Sequence, residues 1–152
     1  MKNILVVGSL GQLGSEISLE LRRVFGNDHV VLTDIKDDTN LDLIASGPFY
    51  KLDSRDGESL DKIVQKHQID TIYHLAALLS ATAERMPKVA WDINIGGLMT
   101  TLEVARQRKC AVFTPSSIGA FGPTTPKIYT PQDTIQRPTS IYGISKVAGE
   151  LL

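Results

Sequence analysis

Apolar residues along the chain repeat with two alternating periods. Short runs rich in β-branched residues lie at Ile4–Gly8, His29–Asp34, Phe49–Leu52, Asp70–Leu75 and Ala111–Pro115. Several are continuous rather than alternating, as strands covered on both faces require. Between them the spacing shifts to the helical period, which predicts helices over residues 12–25, 55–67 and 85–108. In the first, Leu13, Ile17, Leu21 and Val24 are expected to pack on a sheet. In the second, Leu60, Ile63 and Val64 share one face, with Lys62 and Lys66 turned outward. Strand and helix in strict alternation is the sign of βαβ units and a parallel, doubly wound α/β sheet.

Composition narrows the picture mainly by exclusion. The 152 residues suffice for one domain with a core, and 42% hydrophobic with 22% charged residues is ordinary for a globular protein. A net charge of −1 provides no basic field for nucleic acid and no polybasic patch for a membrane. The densest basic stretch, Arg106 to Lys109, falls where a helix should end and suits the negative pole of its dipole. The single cysteine, Cys110, rules out an internal disulfide and is expected to be a buried structural thiol in a reducing compartment. With no apolar run long enough to span a bilayer, the expectation is a soluble, cytoplasmic protein. Five of the seven prolines lie between Pro115 and Pro138, predicting a long restrained loop. A helix then starts near Ser140 and is still running at Leu152, so the chain reads as the N-terminal part of a longer one.

The turn from the first strand into the first helix reads Gly8-Ser9-Leu10-Gly11-Gln12-Leu13-Gly14. Glycines there allow a tight turn, approach of the backbone to a pyrophosphate, and close helix–strand packing. The helix N-terminus offers unpaired N–H groups and the positive end of a dipole to the phosphates. Asp34 follows twenty positions after Gly14, at the end of the second strand. A carboxylate there accepts hydrogen bonds from the adenosine ribose and repels a 2′-phosphate, which favours NAD over NADP. Asp53, just past the third strand, is placed either to accept the adenine amino group or to cap a helix.

Tyr142 and Lys146 stand four apart on the last predicted helix and hence on one face. A lysine ammonium beside a phenol favours the phenolate, which suits the tyrosine to general acid–base work. Ser116 and Ser117 close the fifth strand, at the sheet edge where doubly wound folds bind ligands. The three histidines, His29, His67 and His74, show no metal-ligand spacing, and no metal is expected. His74 reads as hydrogen-bonded scaffold and Trp91 as packing.

The glycine loop, Asp34, His74-Leu75-Ala76-Ala77, Asn94, Ser117 and Tyr142-x-x-x-Lys146 resemble, in this order, the extended short-chain dehydrogenase/reductase superfamily. The resemblance implies a Rossmann-type NAD-binding domain over residues 1–152, with strand order 3-2-1-4-5 and a sixth strand missing. It implies Tyr142 as general acid/base, Lys146 on the nicotinamide ribose, and Ser117 holding the substrate oxygen. Gly8, Gly11, Gln12, Leu13, Gly14, Asp34, Asp53, Leu75, Ala76 and Ala77 would line the cofactor site. Asn94 would brace its helix against the sheet, and a homodimer is the usual assembly.

Leu78 to Glu84, Thr114 to Pro123 and Thr130-Pro131-Gln132-Asp133 resemble the epimerase-like L-threonine 3-dehydrogenases. Sugar-nucleotide epimerases more often carry serine where Pro115 stands and Val-Tyr-Gly in place of Ala120-Phe121-Gly122. By this resemblance Ser80 would contact an amino acid substrate, L-threonine, oxidised to 2-amino-3-ketobutyrate. Two alternatives stay open: a sugar-nucleotide epimerase or dehydratase, and a non-catalytic NAD-sensing regulator.

Overall fold

The computed structural model describes all residues, 1–152, and divides into two compact units. The first comprises residues 1–76 and 97–115, the second residues 77–96 and 116–152. Its helices are α1 (Gln12–Phe25), α2 (Leu41–Ala45), α3 (Gly57–Lys66), α4 (Ser80–Arg85), α5 (Pro87–Trp91), α6 (Gly97–Arg108) and α7 (Ile141–Leu151). None is long and apolar enough to cross a membrane.

The first unit holds the sheet. Strands β1 (Ile4–Val7), β2 (Val30–Asp34), β3 (Phe49–Lys51), β4 (Thr71–His74) and β5 (Ala111–Phe113) pair in parallel in the order β3-β2-β1-β4-β5, as expected. Every residue of β1 is buried because alternate side chains face different layers. Ile4 and Val6 join Val30, Leu32, Leu21 of α1 and Leu43 of α2. Leu5 and Val7 join Val31, Ile72, Leu60, Ile63 and Val64 of α3 and Val104 and Ala105 of α6. Each fully buried Leu, Ile or Val stabilises the layer by about 1.5–3 kcal/mol. At the β5 edge, Phe113 is half exposed.

Three expectations need correction. Leu13 and Val24 of α1 are exposed; the buried face is Gly14, Ser18, Leu21 and Arg22. Arg22 is only 4% exposed, donating to the carbonyls of Leu43 (2.5 Å), Pro48 (3.0 Å) and Val30 and to Ser46 Oγ. Helix α2, which precedes β3 and was not expected from the sequence, is held by that guanidinium at the Leu43 carbonyl and by burial of the Leu43 side chain. Second, the single helix expected over residues 85–108 is broken. Pro87 starts α5, a π turn occupies Asp92–Gly96, and Gly97 opens α6. Third, Trp91 is 40% exposed and Cys110 is half-buried rather than sealed in the core. The Cys110 thiol donates to the Ile69 carbonyl, and burial pushes its pKa up.

The second unit is built around α7. Ser140 caps it by accepting from the Gly143 N–H. Against α7 lie α4, α5, the π turn and a 3-10 turn at Ile118–Ala120. Gly143 is required here: a Cβ would collide with the Gly119 carbonyl.

Candidate functional site

In the first unit, the glycine loop leaves β1 through Gly8 at φ +85°, a conformation that penalises any side chain. A Cβ at Gly8 would also lie 2.6 Å from the Ala76 nitrogen. At Gly14 a Cβ would collide with the Gly8 carbonyl, so α1 packs directly on the loop. Gly11 is different. Its backbone is extended, and a Cβ would make only an ordinary 3.5 Å contact with the Gly8 oxygen. The protein's own packing therefore does not require glycine at 11. Gly11 also caps α1 without a side-chain acceptor, and Gln12 and Leu13 of the first turn are exposed. That leaves N–H donors of the first turn of α1 without intrahelical partners, the arrangement that favours an anion at a helix N-terminus.

Asp34 closes β2 beside this loop. One carboxylate oxygen accepts from the Leu10 N–H at 2.9 Å and the other from the Lys36 N–H at 3.1 Å. The carboxylate is thus oriented by the backbone and keeps lone pairs for further donors. Leu75 continues β4 with its N–H on the Val7 carbonyl at 2.8 Å, and it and Ala76 are half-buried. Asp53 caps no helix: Asp56 caps α3. Both Asp53 oxygens meet the Arg55 guanidinium, at 3.0 and 2.6 Å, and that pairing holds its pKa below the usual carboxylate range. An adenine amino group there has to share the carboxylate with Arg55. The donor set as a whole fits a dinucleotide: free helix N–H groups, a glycine that the protein's own packing does not require, and an oriented carboxylate.

His74 is buried, its Nδ1 2.9 Å from the Thr101 hydroxyl, as scaffold. His29 pairs with Asn3 and His67 with the Tyr50 hydroxyl, both at 2.8 Å.

In the second unit, α7 brings Tyr142 and Lys146 together. The Lys146 Nζ lies 5.6 Å from the centre of the Tyr142 ring, and burial of the ammonium lowers its pKa. Ser117 caps the 3-10 turn, its hydroxyl oxygen accepting from the Gly119 N–H at 3.1 Å. Its own proton remains to be donated. The same turn abuts Tyr142: a Cβ on Gly119 would stand 3.4 Å from the tyrosine ring. Serine, tyrosine and lysine are thereby carried by one small assembly of turn and helix. Ala77 is half-buried, and Ser80 is exposed as the first residue of α4.

Asn94 makes its hydrogen bonds within the second unit. It sits in the π turn, accepts from the Leu78 N–H at 2.7 Å, and donates to the Leu78 carbonyl at 3.1 Å and Ser145 Oγ at 3.3 Å. It ties residue 78 to the helix bearing Tyr142. Two residues escaped the sequence reading. The Glu84 carboxylate accepts from the Ile141 N–H at 2.8 Å, a second cap on α7. Glu150, one turn beyond Lys146, accepts from Ser116 Oγ and from Gln136 Nε2 at 2.8 Å. A carboxylate one turn from the lysine was the available signal for Glu150; Glu84 had none, because its partner is 57 positions away.

A glycine loop at the carboxyl edge of a doubly wound sheet is the architecture of a dinucleotide-binding domain. The profile of the NAD dependent epimerase/dehydratase family matches residues 4–152, and the chain belongs to that family, with NAD as cofactor. An uncharacterised epimerase/dehydratase of Staphylococcus saprophyticus is 56% identical over 152 residues, 100% of this chain and 48% of the relative. Among solved structures, L-threonine dehydrogenase of Clostridium difficile matches with a TM-score of 0.96 and 47% identity, covering 99% of this chain and 47% of that one. UDP-glucose 4-epimerase of Thermotoga maritima, with UDP-glucose, matches at 0.89 and 29%, covering 98% and 49%. The chain spans about half the length of these relatives.

Proposed function

We propose that this chain is the nucleotide-binding part of an NAD-dependent L-threonine 3-dehydrogenase. The observation that carries the chemistry is the Lys146 ammonium held 5.6 Å from the Tyr142 ring centre, beside the turn that presents Ser117. Ser117 donates its hydroxyl proton to the substrate hydroxyl oxygen and fixes it. Tyr142 acts as general base and takes the proton from that hydroxyl, with the Lys146 ammonium beside its ring. NAD, when bound, would supply the hydride acceptor for the carbinol carbon. The product is 2-amino-3-ketobutyrate.

For NAD binding, the free N–H groups of the first turn of α1 would hold the pyrophosphate, with Gly8, Gly11, Gln12, Leu13 and Gly14 lining it, and Asp34 would hold the adenosine ribose. Asp53 is assigned to the adenine edge, Leu75, Ala76 and Ala77 to the walls of the cofactor channel, and Lys146 also to the nicotinamide ribose. Ser80 contacts the amino acid. The full-length enzyme is a cytoplasmic homodimer on this reading.

Support for threonine comes from the 47% identity to the Clostridium difficile enzyme and from Pro115 and Ala120-Phe121-Gly122. The second reading, a sugar-nucleotide epimerase, is favoured by the likeness to the UDP-glucose 4-epimerase. NADH absorbance separates the two, recorded on the full-length gene product with L-threonine, L-serine and UDP-galactose. Threonine-dependent NADH is expected; epimerisation of the sugar nucleotide with no response to threonine would replace the first reading by the second.

A further inference from the structure

Glu150 has no part in the proton chemistry, yet its carboxylate joins two segments beside it. One oxygen accepts from the hydroxyl of Ser116, the immediate neighbour of Ser117; the other accepts from Gln136 at 2.8 Å, in the proline-rich loop. These hydrogen bonds, first Ser116 and then Gln136, hold the Glu150 pKa below the ordinary carboxylate range. The Ser117 turn is gripped a second time at the start of α7, where Gly143 packs on the Gly119 carbonyl so closely that no Cβ fits. Two clamps on one helix, at Gly143 and Glu150, therefore bracket Ser117.

We propose that Glu150 is a positioning residue for Ser117, acting through Ser116, and that it also couples the loop carrying Gln136 to the catalytic serine. A side chain that donates to a reacting oxygen loses effect steeply when displaced, by about 100-fold in rate for an ångström. Ser116 gives Ser117 a second fixed point just before the turn, and without it only the Gly119 N–H orients the hydroxyl. The carboxylate suits the role because it accepts from two donors at once. Glutamine accepts from Ser116 but presents an N–H group to one of the two partners.

This proposal rests on the reading of Ser117 as the group that holds the substrate oxygen. Its test is a set of variants of the full-length enzyme, Glu150→Ala, Glu150→Gln, Ser116→Ala and the double Glu150→Ala/Ser116→Ala, with Tyr142→Phe as reference. Turnover is measured with the substrate that responds, and NAD affinity separately by fluorescence. Glu150→Ala and Ser116→Ala are each expected to lower kcat about 10- to 100-fold with NAD affinity unchanged. The double variant should be no slower than the slower single, and Glu150→Gln should recover part of the loss. Wild-type kcat in both Glu150→Ala and Ser116→Ala would overturn the proposal, as would multiplicative losses in the double. If Tyr142→Phe alone keeps full turnover, the catalytic reading has failed rather than the role of Glu150. Because Ser116 is exposed, its alanine variant keeps the test decisive even if Glu150→Ala does not fold.

Discussion

Replacing Asn94 by aspartate changes one atom group and almost no volume, so its cost isolates hydrogen bonding from packing. In the wild type the Asn94 oxygen accepts from the Leu78 N–H, and its amide donates to the Leu78 carbonyl and to Ser145 Oγ. Aspartate keeps the first bond and sets a carboxylate oxygen against the Leu78 carbonyl in place of a donor. Alanine loses all three bonds and leaves both Leu78 backbone groups without their partner. At about 1 kcal/mol for each of the three bonds, Asn94→Ala should cost about 3 kcal/mol. Aspartate should cost at least as much, since Asn94 is only 8% exposed and water cannot freely relieve the oxygen–oxygen contact. For a chain of this size that is roughly a 6–12 °C fall in Tm, at about 2–4 °C per kcal/mol. Calorimetry of both variants gives the answer. An Asn94→Asp protein that melts within a degree of the wild type would refute the assigned amide orientation and its role in securing α7 through Ser145.

Arg22→Met should destabilise by about 3 kcal/mol in urea unfolding, because it removes the buried guanidinium's bonds to the Leu43, Val30 and Pro48 carbonyls; an unchanged midpoint would contradict the buried network. Gly11→Ala should leave the unfolding midpoint within about 0.5 kcal/mol of wild type and weaken NAD binding at least about tenfold, since its Cβ meets only a distant oxygen. Gly14→Ala should instead be poorly folded, and equal behaviour of the two would undo the distinction between packing and ligand glycines. Acid should unfold the chain early. The Arg106 and Gln107 hydrogen bonds hold Glu103 at about 2, and Asp53, Asp56 and Asp61 also lie below their ordinary range through Arg55, Ser59 and Arg108. Folded pKa values below the unfolded ones give stability that is present above about pH 4.5 and lost as pH falls toward 2. His67, lowered by burial and then by Lys66, adds a loss that begins as pH drops below 6.5. A urea midpoint flat from pH 6 to 3 would contradict these assignments.

The alternation of strand and helix was readable from five apolar runs separated by helical spacing, while the strand order came with the family resemblance; continuous burial of Ile4–Val7 in β1 and of residues 30–33 in β2 matches their apolar sequences. What escaped the sequence was set by distant partners. Counting apolar residues picked Leu13 and Val24 for the buried face of α1, but the side that packs carries Gly14, Ser18 and Arg22, chosen for closeness and for carbonyls supplied 8 to 26 positions away. The break at residues 85–97 was marked by Pro87 and by Gly96-Gly97, yet the helical spacing on either side masked it. Among the site residues, Gly8, Gly14 and Asp34 announce themselves through local turn chemistry. Glu84 and Glu150 do not, since each is defined by the chain segment it holds.

The proposed chemistry stands or falls with the Tyr142 hydroxyl. Turnover and NAD affinity of full-length Tyr142→Phe, measured side by side with the wild type, decide it. The account predicts NAD binding within about twofold of wild type and a kcat reduced by about 100-fold or more. Near-normal turnover in that variant would contradict it and move the acid–base role to another group.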